Sequence, residues 1–225
     1  MKTSTIRRFI AAAAVAAMLT GCAAPAEQSE TSDVSTQSQA AASSAPAQEM
    51  TFTDALGYTV QLSSWDRVAS LYGSFAETWV LAGGSLVGAT VDAVEERGME
   101  LGDGVALLGS VKEPNLEEII AADPDFLILS ADIAAQVDMH DALTSAGIPH
   151  AYYRVDGVSD YLAMLEQFCQ MTGREDLYEE NGLAVQAEVD RVLEAVQDEP
   201  HPTVLLLRAF SSGAKAKGDD NLAGV

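Results

Sequence analysis

Residues 114–129 read Pro-Asn-Leu-Glu-Glu-Ile-Ile-Ala-Ala-Asp-Pro-Asp-Phe-Leu-Ile-Leu. Pro114 and Asn115 favour a helix start, because proline loses no hydrogen bond in the first turn and asparagine is a good N-terminal cap. A leucine and two isoleucines then recur at helical spacing, until Pro124 prevents the helix from continuing. The four apolar residues 126–129 indicate a buried strand. The stretch therefore predicts a short helix that leads into a core strand of an α/β domain.

The same residues resemble a segment of a known protein family. Asn-Leu-Glu-x-Ile at residues 115–119 and Pro-Asp-Phe-Leu-Ile at residues 124–128 are similar to the (N/S)-(L/M)-E-x-I-x-x-L-x-P-D-L-V-I segment of the class III periplasmic binding proteins. These are the substrate-binding lipoproteins of ABC importers that capture ferric siderophores, haem or cobalamin. The resemblance extends to residues 68–90 and to the order of elements from about residue 51 onward.

This resemblance implies a receptor and not an enzyme. Its partners would be an ABC permease with its ATPase and a small ligand, which is an iron chelate, haem or cobalamin, with no cofactor of the protein's own. Glu117 matches the family's glutamate that pairs with an arginine of the permease. Spacing alone indicates only an exposed acid in a first helical turn, where the helix dipole favours negative charge. We expect a monomer.

The N-terminus has the pattern of a lipoprotein leader. Basic residues precede an apolar run at residues 9–19, which is too short for a permanent membrane span. Cys22 directly follows Leu-Thr-Gly, which matches the lipobox of bacterial lipoproteins, whose cysteine thiol receives diacylglycerol. We therefore predict a signal peptide at residues 1–21 and a protein held outside the cytoplasm, on the bacterial cell membrane, by lipid on Cys22.

The sequence is strongly acidic, with a formal net charge of −22 at pH 7. Such a charge repels phosphates, so nucleic acid and anionic lipid headgroups are excluded as bulk partners. The other cysteine of the chain, Cys169, lies in a helical pattern and is expected to be a small buried hydrophobe. If Cys22 is lipidated, no disulfide can form within the chain.

Composition and periodicity divide the rest of the chain into four segments. Residues 22–49 are rich in alanine, serine and glutamine and predict a flexible tether. Residues 50–156 predict an N-terminal ligand-binding lobe, which begins with a hairpin and continues as a central parallel sheet flanked by helices. Residues 157–200 predict a long interlobe helical connector. Residues 201–225 predict the first strand of a second lobe, followed by a loop and a helix start; we expect this lobe to be truncated, because members of the resembled family continue much further.

The predicted elements of this α/β fold follow from apolar runs and from glycine and proline punctuation. The expected core strands are residues 68–71, 86–89, 126–129 and 150–153, and residues 107–110 are expected to form a further short strand and its loop. The expected helices are residues 74–81, 133–146 and 159–196, with a break at Thr172 and Gly173. The expected strand of the second lobe is residues 203–207.

Candidate ligand contacts come from the loops after the strands, because open α/β sheets bind ligands at the carboxyl ends of their strands. The first such loop holds Tyr72, Ser74 and Phe75, which the resemblance places in the ligand cleft. The loops after later strands add Asp92, Lys112, Ser130, Tyr153 and Arg154. Aromatic rings could stack on a planar ligand, and cations could receive carboxylate, phosphate or catecholate oxygens.

Several of these residues also have a plainer interpretation. Tyr72 and Phe75 could simply pack the edge of the lobe. Lys112 and Arg154, which we place at equivalent strand ends, could be solvated surface cations. Tyr153 and the tyrosine before it alternate across a strand, so at most one of them faces the cleft.

The sequence contains no motif for metal or covalent chemistry. His140, His150 and His201 have neither the i, i+4 nor the hairpin spacing of metal ligands, so we predict no metal site. No G-x-S-x-G, phosphate-binding glycine loop or H-E-x-x-H occurs. Two alternatives stay open: a surface-anchored α/β hydrolase whose catalytic residues lie in a missing half, and a ligand-sensing domain of the same fold. A protruding Glu117 away from any pocket favours the receptor over the hydrolase, which needs acids inside a pocket.

Overall fold

A five-stranded parallel sheet forms the centre of the structure, a computed structural model that describes residues 49–200 and 203–217. In chain order the strands are β1 (Met50–Thr53), β2 (Thr59–Leu62), β3 (Val68–Ser70), β4 (Leu86–Ala89), β5 (Ala106–Leu107), β6 (Gly109–Ser110), β7 (Glu113–Pro114), β8 (Phe126–Ser130), β9 (His150–Tyr153), β10 (Leu206–Phe210) and β11 (Gly213–Lys217). The central sheet has the order β5-β4-β3-β8-β9, and all of its pairs are parallel. The predicted parallel sheet is confirmed.

Helices connect the strands and cover the sheet. They are α1 (Gly73–Leu81), α2 (Asp92–Glu95), α3 (Leu116–Ala122), α4 (Ala134–Val137), α5 (His140–Ser145), α6 (Val158–Thr172), α7 (Glu175–Tyr178) and α8 (Ala184–Val196), with a π-helical turn at Glu179–Leu183. Within the described ranges, no helix combines the length and the apolar character that a membrane span requires.

Strand β8 is buried along its whole length, and its alternate side chains pack into two separate layers. Phe126 and Ile128 lie in one apolar cluster. In that cluster Trp79 of α1 and Phe168 of α6 pack edge to face, with ring centroids 5.3 Å apart. Leu127 lies in the other cluster, with residues from α3 and α5. Because successive side chains of a strand point to opposite faces, β8 contributes to both cores, and the predicted core strand is confirmed.

The helix α3 also follows the prediction at both ends. The side-chain oxygen of Asn115 accepts hydrogen bonds from the backbone N–H of Glu117 at 3.0 Å and of Glu118 at 3.3 Å. The helix ends before Asp123, which takes a left-handed conformation with φ of 48°, and Pro124 follows. The capping signal and the proline therefore place this helix correctly from sequence alone.

Two predicted elements are divided in the structure. The predicted helix at residues 133–146 consists of α4 and α5, because the Met139 N–H bonds to the Gln136 carbonyl at 3.2 Å in a tight turn that interrupts the α-helical pattern. The predicted strand and loop at residues 107–110 consist of the end of β5, Leu108 and β6. Gly109, the first residue of β6, turns the chain with φ of 89°, and β6 then pairs antiparallel with β7 in a small hairpin outside the central sheet.

The predicted helical connector is broken where expected. Helix α6 ends at Gly173, whose φ of 68° is the left-handed conformation that glycine commonly takes after a helix. A continuous helical segment of 22 residues then includes α7, the π-helical turn and α8. The interruption and the length of the connector helix thus agree with the sequence pattern.

The last described segment departs from the prediction. Strand β10 begins three residues later than the predicted strand at residues 203–207, and it pairs antiparallel with β11. The predicted loop and helix start at the position of β11 is wrong, because a turn at residues 211–212 reverses the chain into a hairpin. The predicted signal peptide, the lipidation site Cys22, the tether up to residue 48, and His201 lie outside the described residues.

One buried side-chain amide joins three loops at the carboxyl edge of the sheet. Gln136 of α4 is 0% exposed, and its Oε1 accepts the backbone N–H of Ser130 at 2.7 Å. Its Nε2 donates to the carbonyl oxygens of Leu71 at 2.7 Å and Val111 at 3.1 Å. These partners lie after β3, at the end of β8 and in the β6–β7 turn, so the Gln136 amide holds the three loops in fixed relative positions.

A second contact fixes the start of α1 against the loop after β4. The buried Asp92 accepts the backbone N–H of Gly73 on its Oδ2 at 2.7 Å. A Cβ on Gly73 would lie 2.7 Å from that oxygen and 2.7 Å from the backbone nitrogen of Ala93. This approach is too close for any side chain, so glycine is required here for packing.

We expect Gln136→Met to lower the free energy of unfolding by about 2–4 kcal/mol, because methionine has a similar volume but leaves two buried backbone groups, at Leu71 and Ser130, and the part-buried Val111 carbonyl without this partner. Urea denaturation measures this loss. The matched control is Gln197→Met, since Gln197 is exposed just after α8 and should change stability by less than about 0.5 kcal/mol. Equal effects of the two substitutions would contradict the role of the amide.

We expect Gly73→Ala to cost about 1–3 kcal/mol of stability, because the added methyl group overlaps the backbone of the neighbouring loop. Thermal unfolding measures the change in melting temperature. Gly102→Ala is the control, since a Cβ at Gly102 meets no atom within 4 Å. An unchanged melting temperature in the Gly73 variant would show that the two loops are not packed as described.

Candidate functional site

A cavity of about 280 Å³ opens at the carboxyl edge of the sheet, between the loops that follow β3, β8 and β9. Its lining residues are Tyr72, Ser74, Phe75, Thr78, Arg97, Ser130, Asp132, Ile133, Val155, Tyr161 and Met164. Small-molecule sites are usually concave and largely apolar, with a few converging polar groups. The position of this cavity is also where open α/β sheets bind their ligands.

Four of the predicted contact residues share this cavity, namely Tyr72, Ser74, Phe75 and Ser130. The rings of Tyr72 and Phe75 meet edge to face, with centroids 4.9 Å apart. Phe75 is only 4% exposed, so the plainer packing interpretation suits it, whereas Tyr72 is partly exposed. Tyr72 is therefore the ring best placed to stack on a ligand, and the buried Phe75 packs against it.

Four polar residues of the cavity lining, Thr78, Arg97, Asp132 and Tyr161, are absent from the sequence prediction. Arg97 lies between α2 and β5, and its guanidinium is 3.9 Å from the Glu77 carboxylate, with both side chains about half exposed. Tyr161 of α6 donates its hydroxyl to the Asn181 carbonyl at 2.9 Å, and burial raises its pKa. Neither residue follows a strand of the central sheet, so the strand-end rule does not find them. The same rule would have found Asp132, which follows β8.

The two predicted cations lie in different surroundings. Arg154 follows β9 and donates from Nε to the Asp132 Oδ1 at 2.8 Å, a bond that raises the pKa of the guanidinium. Because Asp132 lines the cavity, Arg154 lies at its margin. Lys112 is exposed in the turn of the β6–β7 hairpin. The expected equivalence of the two strand ends is wrong, because the strand before Lys112 is not part of the parallel sheet.

The predicted contacts Asp92 and Tyr153 are buried and do not line the cavity. Asp92 is 7% exposed, and its carboxylate holds the backbone of Gly73. Tyr153 is 8% exposed and packs on Phe168, with ring centroids 5.2 Å apart. Burial raises the pKa of its hydroxyl, which has no hydrogen-bond partner among the described residues. We leave both residues out of the site proposed below.

Glu117 is exposed in the first turn of α3 and is not one of the residues that line the cavity. Its backbone N–H is already bonded to the Asn115 cap, so the helix start holds the residue in place while the carboxylate faces solvent. Glu117 is thus an exposed acid in the first turn of a helix, as its sequence position predicts. The carboxylate of Glu117 is therefore available for a contact that does not involve the cavity.

The cavity lining is suited to reversible binding. The lining contains no histidine, cysteine or lysine. The one carboxylate of the lining, that of Asp132, accepts a hydrogen bond from Arg154, and the Ser130 hydroxyl oxygen accepts the backbone N–H of Asp132 at 3.2 Å. Among the described residues, neither Ser74 nor Ser130 is hydrogen-bonded to a side-chain base that would activate it as a nucleophile. What the cavity offers is an aromatic ring, several hydroxyl groups and one guanidinium, that of Arg97. The lining also includes the Asp132 carboxylate. Aromatic rings and guanidinium groups are the kinds of group that contact planar and anionic molecules.

A larger cavity of about 620 Å³ lies between α1 and the loop before β5. Apolar side chains such as Val80, Met99 and Leu101 form much of its lining, and Arg97 lines both cavities. We place the candidate site at the smaller cavity, because loops from three neighbouring parallel strands meet there.

Solved structures with the same fold include binding proteins for iron chelates. The chain is similar to the petrobactin-binding protein YclQ from Bacillus subtilis, with a TM-score of 0.64 and 17% identity over 79% of this chain and 66% of that one. For the siderophore-binding protein BauB, solved with acinetobactin and ferric iron, the TM-score is 0.62 and the identity 19% over 78% of this chain and 64% of that one. For PiuA, the substrate-binding protein of an iron uptake ABC transporter from Streptococcus pneumoniae, these values are 0.60 and 22% over 78% and 62%. The chain thus spans less than two thirds of the length of each structure, and at these identities the likeness shows the fold alone.

No curated protein matches the sequence. A family model described as periplasmic binding protein matches residues 68–224, which is more than half of the chain. Proteins of this family are binding proteins that work outside the cytoplasm, so the hydrolase alternative is not retained. With its parallel sheet and its cavity at the strand ends, the chain belongs to the periplasmic binding protein family.

Proposed function

We propose that this protein captures a ferric siderophore, or a haem-like or cobalamin-like molecule, and delivers it to the permease and ATPase of an ABC importer. The observation that carries the proposal is the meeting of Tyr72, Ser74 and Ser130, from two separate strand-end loops, in one cavity of a periplasmic binding protein. Such a protein binds its ligand and releases it unchanged.

The chemistry of the cavity supports an anionic chelate as the ligand. Ferric chelates present carboxylate, catecholate or hydroxamate oxygens around the metal, and the Arg97 guanidinium can donate to such oxygens. Tyr72 offers a ring face to the planar part of a chelate or porphyrin. The acidic chain does not steer anions from a distance, so affinity depends on these local contacts. The iron would belong to the ligand and not to the protein.

In this proposal, each predicted segment of the chain has its own role. Residues 50–156 are the ligand-binding lobe, residues 157–200 are a rigid connector, and residues 201–225 begin a second lobe that supplies further ligand contacts. Lipid on Cys22 would anchor the protein to the membrane, and residues 22–49 would serve as the tether. The exposed Glu117 would be the contact for an arginine of the permease.

We expect Tyr72→Ala to weaken binding of a ferric chelate about tenfold, because the substitution removes one stacking surface from the cavity. Quenching of tryptophan fluorescence during titration measures the dissociation constant. The titration series comprises ferrioxamine B, ferric enterobactin, haemin and cyanocobalamin, which also tests the ligand class.

Tyr58→Ala is the matched control, because Tyr58 is an exposed tyrosine outside the cavity. This variant should bind like the unaltered protein. The proposal would be contradicted if both variants bound equally, or if none of the four compounds bound.

The docking role of Glu117 has a separate test. We expect Glu117→Arg to leave chelate binding unchanged but to abolish uptake by cells, since it replaces an attraction for the permease arginine with repulsion. Uptake of ⁵⁵Fe-labelled chelate measures the loss. Glu118→Arg makes the same charge change in the same helical turn and should keep most of the uptake. Normal uptake with Glu117→Arg would remove this residue from the docking surface.

A further inference from the structure

Two histidines that are ten residues apart in sequence lie side by side in the structure. His140 begins α5 and His150 begins β9, and the chain reverses between them. The Nδ1 of His140 is 3.0 Å from the Nε2 of His150. Sequence spacing does not reveal this pair, because the helix and the strand contribute one histidine each.

A backbone carbonyl determines the tautomer of His150. Its Nδ1 is 2.8 Å from the Ile148 carbonyl oxygen, so Nδ1 carries the proton and donates it there. The unprotonated Nε2 therefore faces His140 and, while no metal is bound, accepts the hydrogen bond that the Nδ1–H of His140 donates at 3.0 Å. Histidines that bind metals in proteins have the same arrangement, in which the second ring nitrogen donates to a carbonyl or carboxylate that orients the ring.

The ring of His140 is held by an aromatic neighbour. Tyr58 stacks on it with ring centroids 4.1 Å apart and an angle of 13° between the planes. Tyr58 is itself fixed by a hydrogen bond of 2.9 Å from its backbone N–H to Asp54 Oδ1, in the hairpin of β1 and β2. Both imidazoles thus have defined orientations before any ligand arrives, which lowers the entropic cost of binding.

The distance between the two nitrogens fits one shared metal ion. Two imidazole nitrogens at about 2.1 Å from a metal, in adjacent positions at roughly 90°, as in square-planar or octahedral copper and nickel sites, lie about 3.0 Å from each other. The tetrahedral angle of a zinc site separates them by about 3.4 Å, so zinc requires a small outward movement of one ring. Both rings line an open cavity of about 410 Å³, which leaves room for water ligands. No group of three or more histidine, cysteine or acidic side chains in the described ranges is arranged to hold a metal, so water must complete the coordination.

We propose that His140 Nδ1 and His150 Nε2 bind one divalent ion of the copper, nickel and zinc group. Neutral imidazoles favour these ions, whereas calcium and magnesium prefer oxygen ligands. On binding, His140 keeps its neutral charge and carries its proton on Nε2 instead of Nδ1. Asp54 is not a ligand, since its carboxylate accepts the backbone N–H groups of Leu56, Tyr58 and Tyr152.

This site is independent of the proposed transport function. The residues that line the 410 Å³ cavity do not include any that line the candidate ligand cavity. The ion would join α5 to the first residue of β9, at the edge of the central sheet. It would stabilise the fold and is not the transported cargo.

Metal binding can be measured on the purified full chain with Cu²⁺ and Zn²⁺. Electron paramagnetic resonance of the Cu²⁺ complex should report two imidazole nitrogens, and Zn²⁺ should raise the melting temperature. His140→Phe keeps an aromatic ring for Tyr58 to stack on but removes the nitrogen, so it should weaken Cu²⁺ affinity about tenfold or more and remove one nitrogen signal. His150→Phe should give the same loss.

His201→Phe is the control for nonspecific histidine binding and should behave like the unaltered protein. Circular dichroism without metal identifies a variant that has failed to fold. We expect His140→Phe to fold, because its aromatic ring can still stack on Tyr58. The proposal is overturned if the unaltered protein binds neither ion. It is also overturned if His140→Phe and His150→Phe retain its affinity, its nitrogen signals and its Zn²⁺-dependent melting temperature.

Discussion

The three hydrogen bonds of the Gln136 side chain are the constraint on which the candidate site depends. One fully buried amide satisfies the N–H of Ser130 and the carbonyl oxygens of Leu71 and Val111. A buried backbone group without a partner is costly, so each loop is stable only in the position where it meets this amide. The loops after β3 and β8 carry the ring and hydroxyl groups of the cavity. The amide therefore fixes the relative positions of these two loops and of the turn at Val111.

The layered core explains why these loops at the rim of the cavity are rigid. Alternate residues of β8 pack into opposite clusters, so neither face of the strand can shift without disturbing a packed layer. The contact between Asp92 and Gly73 adds a second fixed point, at the start of α1. Tyr72, which directly precedes that glycine, is thus held between two anchored positions. A preorganised cavity of this kind binds a small molecule with little loss of conformational entropy.

The sequence predicts the elements better than it predicts the site. The cap at Asn115 and the proline after α3 are local signals, and the structure places that helix and the following strand as they indicate. The sequence also predicts which residues follow a strand, but it does not predict the direction in which their side chains point. Asp92 follows a strand end, yet its carboxylate turns inward to a backbone N–H. Arg97 and Gln136 reach the rim from a loop and a helix through tertiary packing, and no periodic pattern marks such residues. For the same reason, no sequence pattern reveals that His140 and His150 are in contact.

We propose that loops from separate strands form one ligand-binding rim. Hydrogen–deuterium exchange of the chain, with and without the ferric chelate that binds in the titrations, tests it most directly. We expect slower exchange on binding in residues 71–78 and 130–133 together, with little change in the hairpin of β1 and β2. Slower exchange confined to residues 97–105, or to a single one of the two rim segments, would contradict the shared rim.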